Sequence, residues 1–156
     1  MIKKIFLVLV VLLAIAQVVR PTKNNSRDTQ KDISTLYPMP PEVKVIVNKA
    51  CADCHTNNTN YPFYANIQPI AYWLEDHVKD GKRHFNFNEF ASYKIAKQNH
   101  KLEEVIEQIK EGEMPLYSYT LIHKEARLTD AEKETCLLYT SPEPTRQAEI
   151  SYAVFC

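Results

Sequence analysis

Apolar residues fall along this chain in short stripes of helical spacing, separated by polar or proline-rich breaks. The first stripe is continuous: Ile5 to Val19 is apolar except for Gln17 and has no polar face. Residues 20–41 then mix Arg20-Pro21, Asn24-Asn25-Ser26 and Pro38, Pro40 and Pro41, which reads as a flexible tether. Pro41 suits a helix start, where its missing N–H is not needed. Val43, Ile46, Val47 and Ala50 follow at helical spacing and predict a helix that delivers the chain to Cys51. Asn57, Asn58, Asn60, Pro62 and Pro69 mark Thr56 to Pro69 as a loop. Ile70, Leu74 and Val78 predict a second helix to about Asp80, with Gly81 as its stop. A third is expected from Asn86 or Asn88 through Phe90, Tyr93 and Ile95. A fourth runs from Leu102 to Glu111, striped by Val105, Ile106 and Ile109 and ended by Gly112. Thr129 and Glu132 form a capping-box pattern that opens a last helix. No long alternating stretch marks a strand, and no repeat is visible. The pattern predicts a small all-α domain.

The chemistry concentrates in Cys51-Ala52-Asp53-Cys54-His55. C-x-x-C-H is the spacing that attaches a c-type haem: two thiols reach the two vinyl groups of one porphyrin, and the adjacent imidazole ligates the iron. On this reading Cys51 and Cys54 hold haem c covalently and His55 is the proximal ligand. Tyr61, Phe63, Tyr64 and Trp73 are candidate apolar walls of the pocket. The sixth iron position points to function. Met114-Pro115, in the loop after Gly112, is the leading candidate, because Met/His ligation suits electron transfer. His123 is the alternative distal ligand, ahead of His77, His84 and His100. An open sixth site is the third possibility.

The two ends add location. Lys3-Lys4 followed by an apolar core has the form of an export signal. Residues 1–19 are therefore expected to be a cleaved signal peptide or a retained anchor, with residues 5–19 in the membrane if retained. Fifteen helical residues span about 22 Å, short for a bilayer core of roughly 30 Å. Either way the rest of the chain is expected on the periplasmic side of the cytoplasmic membrane. At the other end, the composition changes abruptly at Cys136. Back-translated, residues 136–156 read in order as a transposase-type sequencing adapter with one extra base near Pro142. We expect this stretch to be translated adapter, with the natural sequence interrupted after Thr135; the alternative is a real tail with a Cys136–Cys156 disulfide. The net charge is zero, which gives no reason to expect a nucleic-acid partner.

These motifs in order resemble the small bacterial haem-binding domain proteins with a single c-type site. The resemblance rests on Cys51-Ala-Asp-Cys-His55, Asn57-Asn-Thr-Asn-Tyr-Pro-Phe-Tyr64, Asn66-Ile-Gln-Pro69, Trp73-Leu-Glu-Asp-His77 and Gly81-Lys-Arg-His84. Leu102-Glu-Glu-Val105, Glu111-Gly-Glu-Met-Pro-Leu116, Ser118-Tyr-Thr-Leu-Ile-His123 and Leu128-Thr-Asp-Ala-Glu132 complete it. It covers residues 42–135 and implies a cytochrome c-like helical haem domain tethered outside the cytoplasmic membrane.

Three functions compete at this point. The first is a monohaem electron carrier, not an enzyme, that meets redox partner proteins. The second is a haem-based sensor or peroxidase-like enzyme with an open or displaceable sixth ligand, His77 or His123 serving as acid/base group. The third is a zinc or redox C-x-x-C protein, which would need further ligands such as His55 and His100, or a βαβ context that the pattern does not provide.

Overall fold

In a computed structural model of the chain, residues 1–140 are described; most of the suspected adapter, including Cys156, lies outside the described residues. The architecture is helical, with no strand among the described residues beyond one isolated bridge between Asn25 and Asn58. Seven α-helices occur there: α1 Ile2–Ala16, α2 Pro41–Ala50, α3 Ala52–His55, α4 Ile70–His84, α5 Ile95–Glu111, α6 Tyr117–Ile122 and α7 Asp130–Thr140. The chain divides into two compact units. One comprises Met1–Tyr37 and Ala52–Ala91; the other comprises Pro38–Cys51 and the segment from Ser92 onward.

The first unit is built on α4. Ala71, Leu74 and Val78 share its buried face, and Ile33, Ala65, Phe85 and Phe90 complete the core. The helix does not stop at Gly81 as the pattern predicted. It continues to His84, because Gly81 has an ordinary helical role and serves instead as a point of close approach to α3. A Cβ built on Gly81 would lie 2.8 Å from the Cys54 carbonyl oxygen and 3.1 Å from the Cys54 Cβ. Only a residue without a side chain lets α3 and α4 pack at this distance.

Residues 20–41 are not a flexible tether throughout. The Asn24 side chain donates to the Thr56 carbonyl at 2.8 Å and to Thr59 Oγ1 at 2.9 Å. Ile33 is buried within a short 3-10 turn, Ile33–Thr35, capped by the Asp32 carboxylate at the Ser34 N–H. Polar composition suggested solvation, but these polar side chains are spent on fixed internal bonds. The apolar N-terminal stripe forms α1, none of whose residues is buried. Among the described residues, no helix is long and apolar enough to cross a membrane.

In the second unit, α2 presents Val43 and Ile46 on one face, as its spacing predicted. Ile46, Ile109 and Cys136 form a buried cluster, flanked by Val105, Leu128 and Leu137. The third and fourth predicted helices are redrawn. Phe87–Ser92 is a 3-10 turn, and α5 runs unbroken from Ile95 to Glu111. No glycine or proline interrupts 95–111, and His100 and Lys101 are simply polar positions within it. Gly112 ends α5 in the left-handed region at φ 76°, its N–H reaching the Gln108 and Ile109 carbonyls. The capping box is present: Glu132 Oε2 accepts from the Thr129 N–H at 2.9 Å, and Thr129 Oγ1 accepts from the Glu132 N–H at 3.3 Å. Residues 136–140 complete α7.

Candidate haem site

Cys51 closes α2, and the next four residues form α3, a single turn that carries Cys54 and His55. This short turn holds the C-x-x-C-H spacing in helical geometry. The three side chains are half-buried, and neither thiol is in a disulfide. Burial, and then the neighbouring Asp53 carboxylate, push the Cys54 thiol up to about 11. It therefore stays a neutral S–H near neutral pH, a poor thiolate nucleophile. Among the described residues, no group of three or more His, Cys, Asp or Glu side chains is arranged to hold a metal ion. The zinc alternative accordingly finds no ligand set there.

The His55 ring is fixed by its backbone neighbour. Nδ1 lies 2.9 Å from the Phe85 carbonyl oxygen. A carbonyl only accepts, so Nδ1 carries the proton and Nε2 is left with its lone pair when the ring is neutral. Burial pushes the imidazole below its ordinary value, and the Phe85 and Gly81 carbonyls partly offset this. Neutral imidazole with Nδ1–H bound to a carbonyl and Nε2 free is the form that ligates a metal. Two thiols and one such imidazole, on adjacent turns of chain, fit the attachment and proximal ligation of a haem.

Phe85 is buried with its ring 6.3 Å from that of His55, and it packs in turn on Phe87 at 4.8 Å and on Phe90 at 5.6 Å. None of these three is among the rings that the sequence points to as pocket walls. The signal was there in Phe85-Asn86-Phe87-Asn88, a short apolar/polar alternation directly after a helix. Of the selected rings, Phe63 is 81% exposed and touches Tyr64 edge-on, and Trp73 is 45% exposed and leans on His77 at 4.3 Å. Tyr61 accepts the Asn24 N–H at 2.8 Å and lies under the Lys23 ammonium. Tyr61 and Trp73 thus each have a local partner.

The distal candidates both belong to the second unit. Met114 is half-buried in the turn after α5, where its N–H meets the Gln108 carbonyl at 3.3 Å. His123 is stacked on Tyr119 at 4.4 Å, and its Nδ1 lies 3.1 Å from Glu125 Oε1. Two histidines ranked below it are engaged on the surface, His84 with Asp80 and His100 with Glu104.

No curated protein matches this chain, and no solved structure does. The family model of the haem-binding domain matches residues 11–141, a span that includes the C-x-x-C-H turn, α4 and its partners, and nearly all of both units; the chain belongs to this haem-binding family.

Proposed function

We propose that this haem-binding protein is an exported, single-haem electron-transfer protein of the c type. The observation that supports it best is the hydrogen bond from the His55 ring of Cys51-x-x-Cys54-His55 to the Phe85 carbonyl, which prepares one imidazole nitrogen for iron beside two thiols that are not in a disulfide. Cys51 and Cys54 each add an S–H across one vinyl double bond: a C–S bond forms, the hydrogen goes to the neighbouring carbon, and no oxidant is consumed. Once bound, the haem supplies an iron that exchanges single electrons. His55 would ligate the iron, and Met114 would supply the second ligand, on the sequence ground of a thioether in a loop between helices. The Lys3-Lys4 head and the apolar α1 support export, and with it a location on the periplasmic side of the cytoplasmic membrane, where redox proteins are the partners. Residues 136–156 are translated adapter on this reading; re-reading the source DNA tests that separately.

The test is expression of the full chain in a periplasm equipped for haem attachment, followed by denaturation and oxidised and reduced spectra. Haem that stays with the denatured chain and is lost in C51A/C54A supports covalent attachment. A chain that releases all its haem on denaturation is not of the c type. Binding of cyanide or carbon monoxide without displacement of a protein ligand moves the assignment to a sensor or peroxidase with an open site.

A further inference from the structure

Three asparagines near His55 are almost wholly buried: Asn57 is 6% exposed, Asn86 4% and Asn88 9%. They form a chain of hydrogen bonds in which each amide uses both of its ends. The Asn57 N–H donates to Asn88 Oδ1 at 2.7 Å, and Asn86 Nδ2 donates to Asn57 Oδ1 at 2.9 Å. The Asn88 N–H donates to Asn86 Oδ1 at 3.0 Å, and Asn88 Nδ2 donates to Asp32 Oδ2 at 2.6 Å. Asn57 Nδ2 ends the chain on Glu89 Oε1 at 3.1 Å. The other oxygen of Asp32 is already held by the Ser34 N–H at 2.9 Å.

A buried amide left without partners costs about 1–3 kcal/mol. Apolar side chains would hold the same three segments together without that risk. A fully matched polar chain instead specifies one backbone arrangement, since any slip strands several groups at once. The segments it joins are informative. Asn57 is two residues after His55, and Asn86 is the residue after Phe85. The network therefore brackets the Phe85 hydrogen bond to the imidazole.

We propose that Asn57, Asn86, Asn88 and Asp32 are positioning residues for the haem ligand: their buried bonds fix the backbone that aims the Phe85 carbonyl at His55 Nδ1. This rests on the haem reading above. By holding the Nδ1–H bond, the network sets the basicity of the imidazole presented to iron, and so the stability of the oxidised state.

The donor and acceptor pattern supplies its own test. D32N sets two amide N–H groups against each other, and N88D sets two carboxylates together. In the doubly exchanged D32N/N88D, the carboxylate at 88 still accepts from the Asn57 N–H and also accepts from the new amide at 32. Total charge is conserved. The readout is hydrogen exchange of the His55 Nδ1–H by NMR on the full chain, with haem attached and without, alongside the unfolding midpoint. Each single variant is expected to lose protection of that proton at least tenfold, and the exchanged pair to regain it to within about threefold. The reduction potential of the exchanged pair should return with it. Single variants that lose stability but keep parental protection would make the network merely structural and overturn the proposal. So would an exchanged pair that regains stability without protection. If the single variants do not fold, D32N/N88D decides alone: it must fold with parental protection. A parent that attaches no haem defeats the haem reading, while exchange in the haem-free chain still reports what the network does to His55.

Discussion

Gly81 shows how one missing side chain controls the site. Its backbone is helical, so alanine there gains up to about 1 kcal/mol of helix propensity. Against this, the new Cβ meets the Cys54 carbonyl oxygen at 2.8 Å, and that atom is backbone of the C-x-x-C-H turn and cannot swing aside. Overpacking of this kind costs roughly 1–3 kcal/mol, so the clash wins. We expect G81A to lower the urea midpoint, corresponding to a net loss of about 1 kcal/mol, and to reduce the yield of haem-loaded protein. An unchanged or raised midpoint would show that α3 is free to move off α4. The sequence could not reveal this role, because a glycine near a helix end reads equally well as a stop. Met114 is a second single-residue test. If its thioether is the distal ligand, M114A loses the red charge-transfer band of the oxidised protein, and imidazole binding strengthens at least tenfold. A parent spectrum without that band transfers the role to His123 or to an open site.

Helix α7 is held at its start by side chains that also respond to pH. The Lys49 ammonium, first, and the Thr129 N–H, second, hold the Glu132 carboxyl down from 4.5 to about 2. Because the folded value is depressed, the stabilisation is complete above about pH 4.5 and is lost as pH falls toward 2. The Glu132 side chain is partly exposed, so the ion pair contributes little after solvent screening; with the cap, the two together contribute about 1 kcal/mol. E132Q should therefore lower the unfolding midpoint at pH 7, with the gap to the parent closing between pH 4.5 and 2. A gap that persists at pH 2 would mean that the loss comes from packing and not from charge. This capping box was legible from Thr129 and Glu132, as were α2, the buried face of α4 and the Gly112 terminus, because all are local patterns within one or two turns. The 3-10 turn at Phe87–Ser92 and the single long α5 were not. Their boundary depends on Gln98 Nε2 bonding the Tyr93 carbonyl and on Phe90 being buried against Phe85 and against Tyr37, the last a partner more than fifty residues away.

At the scale of the whole molecule, the helical class was legible because apolar stripes recur at helical spacing and no alternation competes. The packing of residues 20–37 was not, because it relies on Asn24 and Asp32 finding partners more than thirty residues away. What neither core accounts for is α1. Fifteen mostly apolar residues form a helix and bury nothing, so folding gains little from them. Their sequence, a Lys3-Lys4 head and an apolar run, makes sense if they are covered outside the fold, by the export machinery and the lipid. This gives a prediction that separates export from stability. In L9R/L12R, two charges near the centre of the run each cost about 2.5–3.5 kcal/mol on transfer to a bilayer centre. Haem-loaded chain in the periplasmic fraction should fall more than tenfold, measured by fractionation and haem staining after denaturing electrophoresis. The unfolding midpoint of the residual loaded protein should stay within about 0.5 kcal/mol of the parent, since neither leucine is buried. An unchanged periplasmic yield would remove the export role. A lowered midpoint would instead make α1 part of the folded domain.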